Sequence, residues 1–290
     1  TVRADGSSRF GSGNKWAVFP SASVAWRVSQ ENFLKNSNLI SDLKIRTSYG
    51  LSGNQEIGTY QSLAALATQN ANFGNTVSIG IGPSRVAKPD LKWETTSQVN
   101  IGVDLGLFNN RLSITADYYQ KKTTDLLLSV PLPFTSGYAS ALQNLGSIQN
   151  QGFELGINSN NLTGDFTWTT NFNIATNQSE VLNLGTQKEF LAGESSGHLQ
   201  LPNSGIVRVG EPIGIFYGYV TNGIFQNQAE VDASAQKSAK PGDRRYIDQN
   251  GDGVINASDR VILGQAQPKI FGGITNTFSY KGFELSVFIQ

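Results

Sequence analysis

The 290 residues contain no cysteine, which removes disulfides and thiolate chemistry from consideration. That suits a bacterial envelope protein, although many cytosolic chains also lack cysteine. Charge is scarce: 22 basic and 22 acidic residues make up 15% of the chain and cancel to a formal net charge of zero. So low a charge fraction is unusual for a soluble surface, and it leaves no basic field to attract nucleic acid. No apolar run approaches the roughly 18 residues that a membrane helix needs. No signal peptide is visible, and the chain opens at Thr1 rather than methionine, so Thr1 reads as an internal point of a longer polypeptide. The one histidine, His198, would have to serve any Ser-His-Asp triad. No nucleophile elbow or oxyanion motif accompanies it, so it reads as a surface loop residue. Gly80-Ile81-Gly82 precedes no helix and is not a phosphate loop. Acidic residues are plentiful enough for a glycosidase pair, but nothing in the sequence pairs them. The chain is therefore expected not to be an enzyme.

What is present is alternation. Residues 97–120 place Val99, Ile101, Val103, Leu105 and Leu107 on one parity, then Leu112, Ile114, Ala116 and Tyr118 on the other. A two-residue turn at Asn109-Asn110 demands that switch of parity and sets Leu107 opposite Leu112, Leu105 opposite Ile114 and Val103 opposite Ala116. Asn100, Gly102, Asp104, Gly106, Ser113, Thr115 and Asp117 take the other face. Strands of roughly a dozen residues are about twice the usual soluble length. The same pattern recurs at 16–28, 43–51, 153–158 and 166–174, and Lys281-Gly282 makes a further two-residue turn, with Tyr280 opposite Phe283 and Phe278 opposite Leu285. Connections alternate in length: 29–39, 108–111, 159–165 and 281–282 are short, whereas 52–94, 125–149 and 177–269 are long. Short turns at one end and long loops at the other are the layout of an outer-membrane barrel.

The expected fold is thus all-β: an antiparallel transmembrane barrel section of about eight long strands, with long extracellular loops. Its two open edges cannot face lipid, so further strands must close it. A soluble antiparallel sandwich would also alternate, but strand length, a sustained polar face and the short/long asymmetry speak against it. Charged residues on the polar face, Lys44, Arg46, Asp104, Asp117, Glu154 and Glu284, either line a substrate path or hydrate and brace the wall, and for any single residue bracing is favoured. Trp16, Trp26, Trp93, Tyr118 and Trp168 are divided between interfacial girdles and loop cores.

Residues 248–259 read DQNGDGVINASD. Asp248, Asn250 and Asp252 occupy positions 1, 3 and 5 of a calcium loop, Gly253 the sharp turn, the Val254 carbonyl position 7, Asn256 position 9 and Asp259 position 12. A hard cation needs about six to eight oxygens, and this spacing folds alternate side chains inward. Aspartate in place of glutamate at the last position shortens the reach, and no helices flank the loop as in an EF-hand. The expectation is structural calcium bracing a large outer loop; the alternative is an Asp/Asn/Gly turn held by hydrogen bonds alone.

Several stretches together resemble a known family. ISDLKIRTSYGLSGNQEIGTYQ (40–61), KPDLKWETTSQVNIGVDLGLFNNRLSITADYYQKKTTDLLL (88–128), NLGSIQNQGFELGI (144–157), VGEPIGIFYGYVTNGIFQ (209–226) and residues 241–290 are similar, in order, to the barrel of SusC/RagA-type TonB-dependent outer-membrane transporters. The resemblance implies a barrel of about 22 strands around an N-terminal plug. It implies import energised through TonB, and a SusD-like surface lipoprotein that captures glycans, oligosaccharides or peptides. Plug and TonB-contacting segment are not in these residues, so residues 1–290 are expected to be a late barrel section, with 177–269 as a long extracellular loop region. A passive pore or structural wall, and a soluble calcium-binding β-sandwich adhesin, are the competing expectations.

Overall fold

A computed structural model describes residues 1–138, 140–192 and 204–290. Among the described residues twenty strands, one short α-helix and three 3-10 turns follow one another along the chain. They are β1 (Val2–Gly6), β2 (Trp16–Arg27), β3 (Ile40–Asn54), β4 (Ala65–Phe73), β5 (Thr76–Arg85), β6 (Glu94–Leu107) and β7 (Leu112–Thr124). Then come β8 (Leu127–Pro131), β9 (Ser140–Asn144), β10 (Ser147–Leu162), β11 (Phe166–Thr176), β12 (Gln178–Asn183) and β13 (Glu189–Ala192). The remainder are β14 (Gly205–Arg208), β15 (Ile215–Tyr219), β16 (Thr221–Ile224), α1 (Gln228–Ala233), β17 (Arg244–Tyr246), β18 (Arg260–Gln265), β19 (Ile270–Tyr280) and β20 (Phe283–Ile289). No helix among the described residues is long and apolar enough to cross a membrane, which says nothing of strands.

The main sheet is antiparallel, in the order β1-β2-β3-β6-β7-β10-β11-β19-β20, with β12 also on β10. Glu154 pairs with Ala175 and Gln151 with Gln178, the same register. β12 is therefore the continuation of β11 past an interruption at Asn177. The wall thus reaches Asn183, further along the chain than the sequence pattern suggests. Consecutive long strands are joined by short turns at one end only: 28–39, 108–111, 163–165 and 281–282. The third is shorter than expected because β10 runs on to Leu162. In the 108–111 turn Phe108, Asn109 and Asn110 all have positive φ (54°, 55° and 61°), as do Lys281 and Gly282 in the two-residue 281–282 turn (48° and 87°). That is the turn twist which matches strand twist, and asparagine and glycine accept it most readily. The pairings Leu107–Leu112, Leu105–Ile114 and Val103–Ala116 follow, as do Tyr280–Phe283 and Phe278–Leu285.

Pairing extends these contacts into rows. Trp26, Ile45, Val103, Ala116, Leu155 and Ile174 lie side by side across six strands. Many side chains on this face are exposed, among them Val24, Trp26, Ile101, Tyr118 and Phe153. An exposed apolar face this wide would be costly in water and is normal against lipid. The opposite face carries Arg46, Gly102, Asp117 and Glu154 in one row, and Lys44, Asp104, Thr115, Gly156 and Asn173 in the next. At the short-turn end Phe166, Trp168, Phe278 and Tyr280 stack on the apolar face, with ring centroids 5.8–6.5 Å apart. Trp168 is therefore a girdle residue, and Trp16 and Trp26 are exposed on the same face. Trp93 instead joins Phe10, Phe19, Ile57 and Leu91 in a small buried core near the long connections.

Two compact units divide the chain: residues 1–185 with 269–290, and residues 186–268. The second holds a four-stranded sheet, β13-β14-β15-β18, and the pair β16-β17. Its buried side chains include Ile206, Ile215, Phe225, Val231 and Asp259. The long connections are thus not structureless, since 55–93 contains the β4-β5 hairpin and 125–146 the β8-β9 hairpin.

Candidate functional site

On the polar face, the sheet register brings four of the six expected charged residues together. Lys44 stands opposite Asp104, and Arg46 opposite Gly102, which in turn stands opposite Asp117. Arg46 donates Nε and Nη2 to the two oxygens of Asp104 (2.8 and 2.9 Å) and a further Nη2 bond to Asp117 at 3.0 Å. Lys44 Nζ lies 3.7 Å from Asp104. One guanidinium therefore ties β3 to both β6 and β7. Planar, multi-donor geometry makes arginine the residue for such a bridge.

Gly102 is what lets it cross. A Cβ built there would fall 2.1 Å from Asp117 Oδ1 and 2.8 Å from Arg46 Nη2. The bare backbone of β6 is the floor under the ion pair. Sequence parity identifies Gly102 as polar-face but not as a required gap. A second pair, Arg27–Asp42 at 3.2 Å, adjoins the cluster, and Ser29 Oγ donates to Asp42 at 2.9 Å. Asp42 lies in phase with Lys44 and Arg46, at the end of the alternating run, where a register shift separates it from Ile40.

Glu154 pairs in register with Asp117, and Glu284 with Ser279. Neither has an ion-pair partner among the described residues. Beyond β7 the polar face carries Glu154 and Glu284 among uncharged side chains: Asn158, Asn171, Asn173, Thr275 and Thr277 face the same side. Arg27, Asp42, Lys44, Arg46, Asp104 and Asp117 on β2–β7 are spent on one another, and this cluster holds strands together. It contains no nucleophile activated by a base and no acid–base pair.

In the second unit, the 248–259 loop folds its oxygen-bearing side chains onto its own backbone. Asp248 accepts from the N–H groups of Gly251 and Gly253, both at 2.7 Å. Asn250 accepts from Asp252 N–H (3.0 Å) and Asp252 from Val254 N–H (2.8 Å). Asn256 caps the 257–259 turn through Ser258 N–H, and Asp259 accepts from Gln249 (2.9 Å) and Asn256 (2.7 Å). Asp259 is fully buried. The Asn256 and Gln249 N–H donors hold its carboxyl below the usual range against the opposing effect of burial. Among the described residues no group of three or more His, Cys, Asp or Glu converges as a metal site. The loop carboxylates therefore do not form a ligand cage in this arrangement. Elsewhere in this unit Arg208 is held above its ordinary value by its 2.6 Å bond to Glu189. His198 lies outside the described residues.

Known proteins share this architecture. Residues 1–260 match a family model described as TonB dependent receptor-like, beta-barrel. TonB-dependent receptor P3 of Formosa agariphila is 41% identical over 293 residues, which cover 100% of this chain and 29% of that protein. TonB-dependent receptor SusC of Bacteroides thetaiotaomicron is 35% identical over 295 residues, covering 99% and 28%. The solved structure of the RagAB peptide transporter superposes with a TM-score of 0.79 at 31% identity, over 99% of this chain and 30% of that one. The RagAB peptide importer in its open-open state gives 0.80 at 32% identity, over the same shares. The chain spans less than a third of the length of the relatives it matches.

Proposed function

The chain belongs to the TonB-dependent receptor family as a section of its outer-membrane β-barrel, and from that membership we propose that its parent protein imports a nutrient across the outer membrane with energy supplied through TonB. The observation that carries the reading is the wall itself. It has an apolar face with exposed aromatics, a polar face with a paired charge cluster on β2, β3, β6 and β7, and two edge strands left unpaired among the described residues. Such edges cannot end in lipid, so the wall functions within a larger closed barrel. We further propose that a SusD-like lipoprotein caps the outer face and that the cargo is a peptide, glycan or oligosaccharide. The RagAB structures to which the chain is similar are of a peptide transporter. The glycan reading rests on the SusC-type sequence resemblance.

Deletion of the full-length gene in its host, followed by uptake of defined peptide and oligosaccharide mixtures, tests this. Uptake of one class should disappear, and removal of TonB should abolish it equally. Uptake that persists without TonB would identify a passive pore instead.

We also propose that the 248–259 loop takes a structural calcium ion through Asp248, Asn250, Asp252, the Val254 carbonyl, Asn256 and Asp259. The donor spacing supports it, as does the inward fold of Asp248, Asn250 and Asp252. Binding would have to draw the carboxylates closer together than they stand. Calorimetric titration with calcium should give a saturable signal that Asp248→Ala with Asp252→Ala removes. A flat titration of the wild type refutes the ion.

A further inference from the structure

The chain contains two Asn-Gly pairs, Asn222-Gly223 and Asn250-Gly251, both in the second unit. Such a pair is open to self-cyclisation, because glycine has no Cβ to obstruct the approach of its backbone nitrogen to the asparagine carboxamide. That nitrogen loses its proton to water or hydroxide and attacks Cγ. An N–Cγ bond forms and closes an imide ring, the Cγ–Nδ2 bond breaks, and Nδ2 leaves as ammonia. Water then opens the ring at either C–N bond of the imide. One opening gives aspartate; the other gives isoaspartate, whose main chain runs through the side-chain carbon. In sum, amide plus water becomes carboxylate plus ammonium.

The structure treats the two pairs differently. Asn250 is fastened at both reacting ends. Its carboxamide accepts from Asp252 N–H (3.0 Å) and donates to Asp252 Oδ2 (2.9 Å), and the Gly251 nitrogen donates to Asp248 Oδ1 (2.7 Å). Ring closure there must release the carboxamide and remove the proton that Asp248 accepts. The Asn222 side chain has no hydrogen-bond partner among the described residues, and Thr221–Ile224 is exposed throughout. A register shift sets Asn222 and Gly223 together against Arg245, since Thr221 pairs with Tyr246 and Ile224 with Arg244. Gly223 has φ +81°, with open space where a Cβ would stand. A bulge of this kind leaves one residue outside the ladder. The strand therefore has slack for the ring and for the longer main chain of isoaspartate.

We propose that Asn222 is a self-modification site, converting to aspartate and isoaspartate in the folded protein, and that Asp248 and Asp252 keep Asn250 intact. Conversion puts a carboxylate on the residue whose carbonyl accepts from Arg245 Nε (2.9 Å); Arg245 Nη1 lies 3.8 Å from Glu230. Arg245 thus gains a second acidic neighbour. Giving up two of the three bonds at Asn250, at the ordinary net strength of a hydrogen bond, slows its ring closure about ten-fold. The test holds the full-length protein in detergent at mildly alkaline pH. EDTA is present, so that no bound cation shields the 248–259 loop. After digestion at acid pH, both Asn-Gly peptides are followed by mass spectrometry and by isoaspartyl methyltransferase labelling. Asn222 should convert about ten-fold faster than Asn250, and in urea the two rates should converge. An intact Asn222, an Asn250 that keeps pace with it in the folded protein, or a difference that persists in urea would each overturn the proposal.

Discussion

Replacing Gly102 by alanine tests the three-strand bridge directly. The new methyl would sit 2.1 Å from Asp117 Oδ1 and 2.9 Å from Arg46 Cζ. Both are ends of flexible side chains, so they can move aside, but only by separating from each other. A hydrogen bond between charged groups contributes about 1.5–3 kcal/mol. With side-chain exposures of 33% for Arg46 and 18% for Asp117, solvent screening reduces this to about 1–2 kcal/mol. Alanine also returns about 0.5–1 kcal/mol of strand entropy. Gly156→Ala supplies the control: it lies on the same face, and a Cβ there meets nothing within 4 Å. The entropy gain cancels between the two variants, so Gly102→Ala should be less stable than Gly156→Ala by about 1–2 kcal/mol. Urea unfolding of the complete barrel reconstituted in vesicles measures the difference. Asp117→Ala should then cost less in the Gly102→Ala background than in the wild type, because the pair is already broken. Equal stability of the two alanine variants, or fully additive effects of Asp117→Ala, would show that Gly102 is not the floor of an ion pair.

The lipid-facing assignment predicts that Val103→Arg lowers assembly yield more than Gly156→Arg. Arginine at mid-bilayer costs about 2–4 kcal/mol on the outer face, so similar yields would place the faces wrongly. Asn276 accepts from both Trp168 Nε1 (2.9 Å) and Thr170 Oγ1 (2.7 Å) on the apolar face; Asn276→Leu should cost about 1 kcal/mol in the same unfolding assay, and an unchanged midpoint would argue that these bonds are idle. Asp259 has a folded-state pKa below its unfolded value, so its stabilisation is complete above the unfolded value of about 3.9 and is lost as pH falls through the folded one. Amide exchange at Gln249 and Asn256 should therefore accelerate only below about pH 3.9; loss of protection at a higher pH would contradict the assignment.

Much of the wall is legible in the sequence because a strand with one face in lipid and the other in a polar lumen must alternate strictly. Short turns then fix which residues meet, as at 108–111 and Lys281-Gly282. The resemblance to SusC/RagA-type barrels leads to the family that the comparisons show. Legibility fails where the period breaks. The interruption at Asn177 carries a contact that alternation does not reveal. The need for a bare backbone at Gly102 depends on side chains 56 positions before it and 15 after it in the chain, at Arg46 and Asp117. The β4-β5 hairpin alternates like a wall strand, and only its pairing shows that it stands outside the wall.

The compensated charges also bear on register, which strand length alone leaves loosely specified. In a sheet with period two, a one-residue slip of β3 against β6 moves every side chain to the opposite face. Arg46 would then leave Asp104 and Asp117 and point into hydrocarbon together with Lys44, at about 2–4 kcal/mol for each. Ile45 and Tyr49 would enter the polar interior at the same time. In the correct register the Arg46–Asp117 contact contributes only about 1–2 kcal/mol. The alternative register, by contrast, loses the bridge and pays the transfer of two cations. The cluster on β3, β6 and β7 therefore acts chiefly by making the misregistered wall unfavourable.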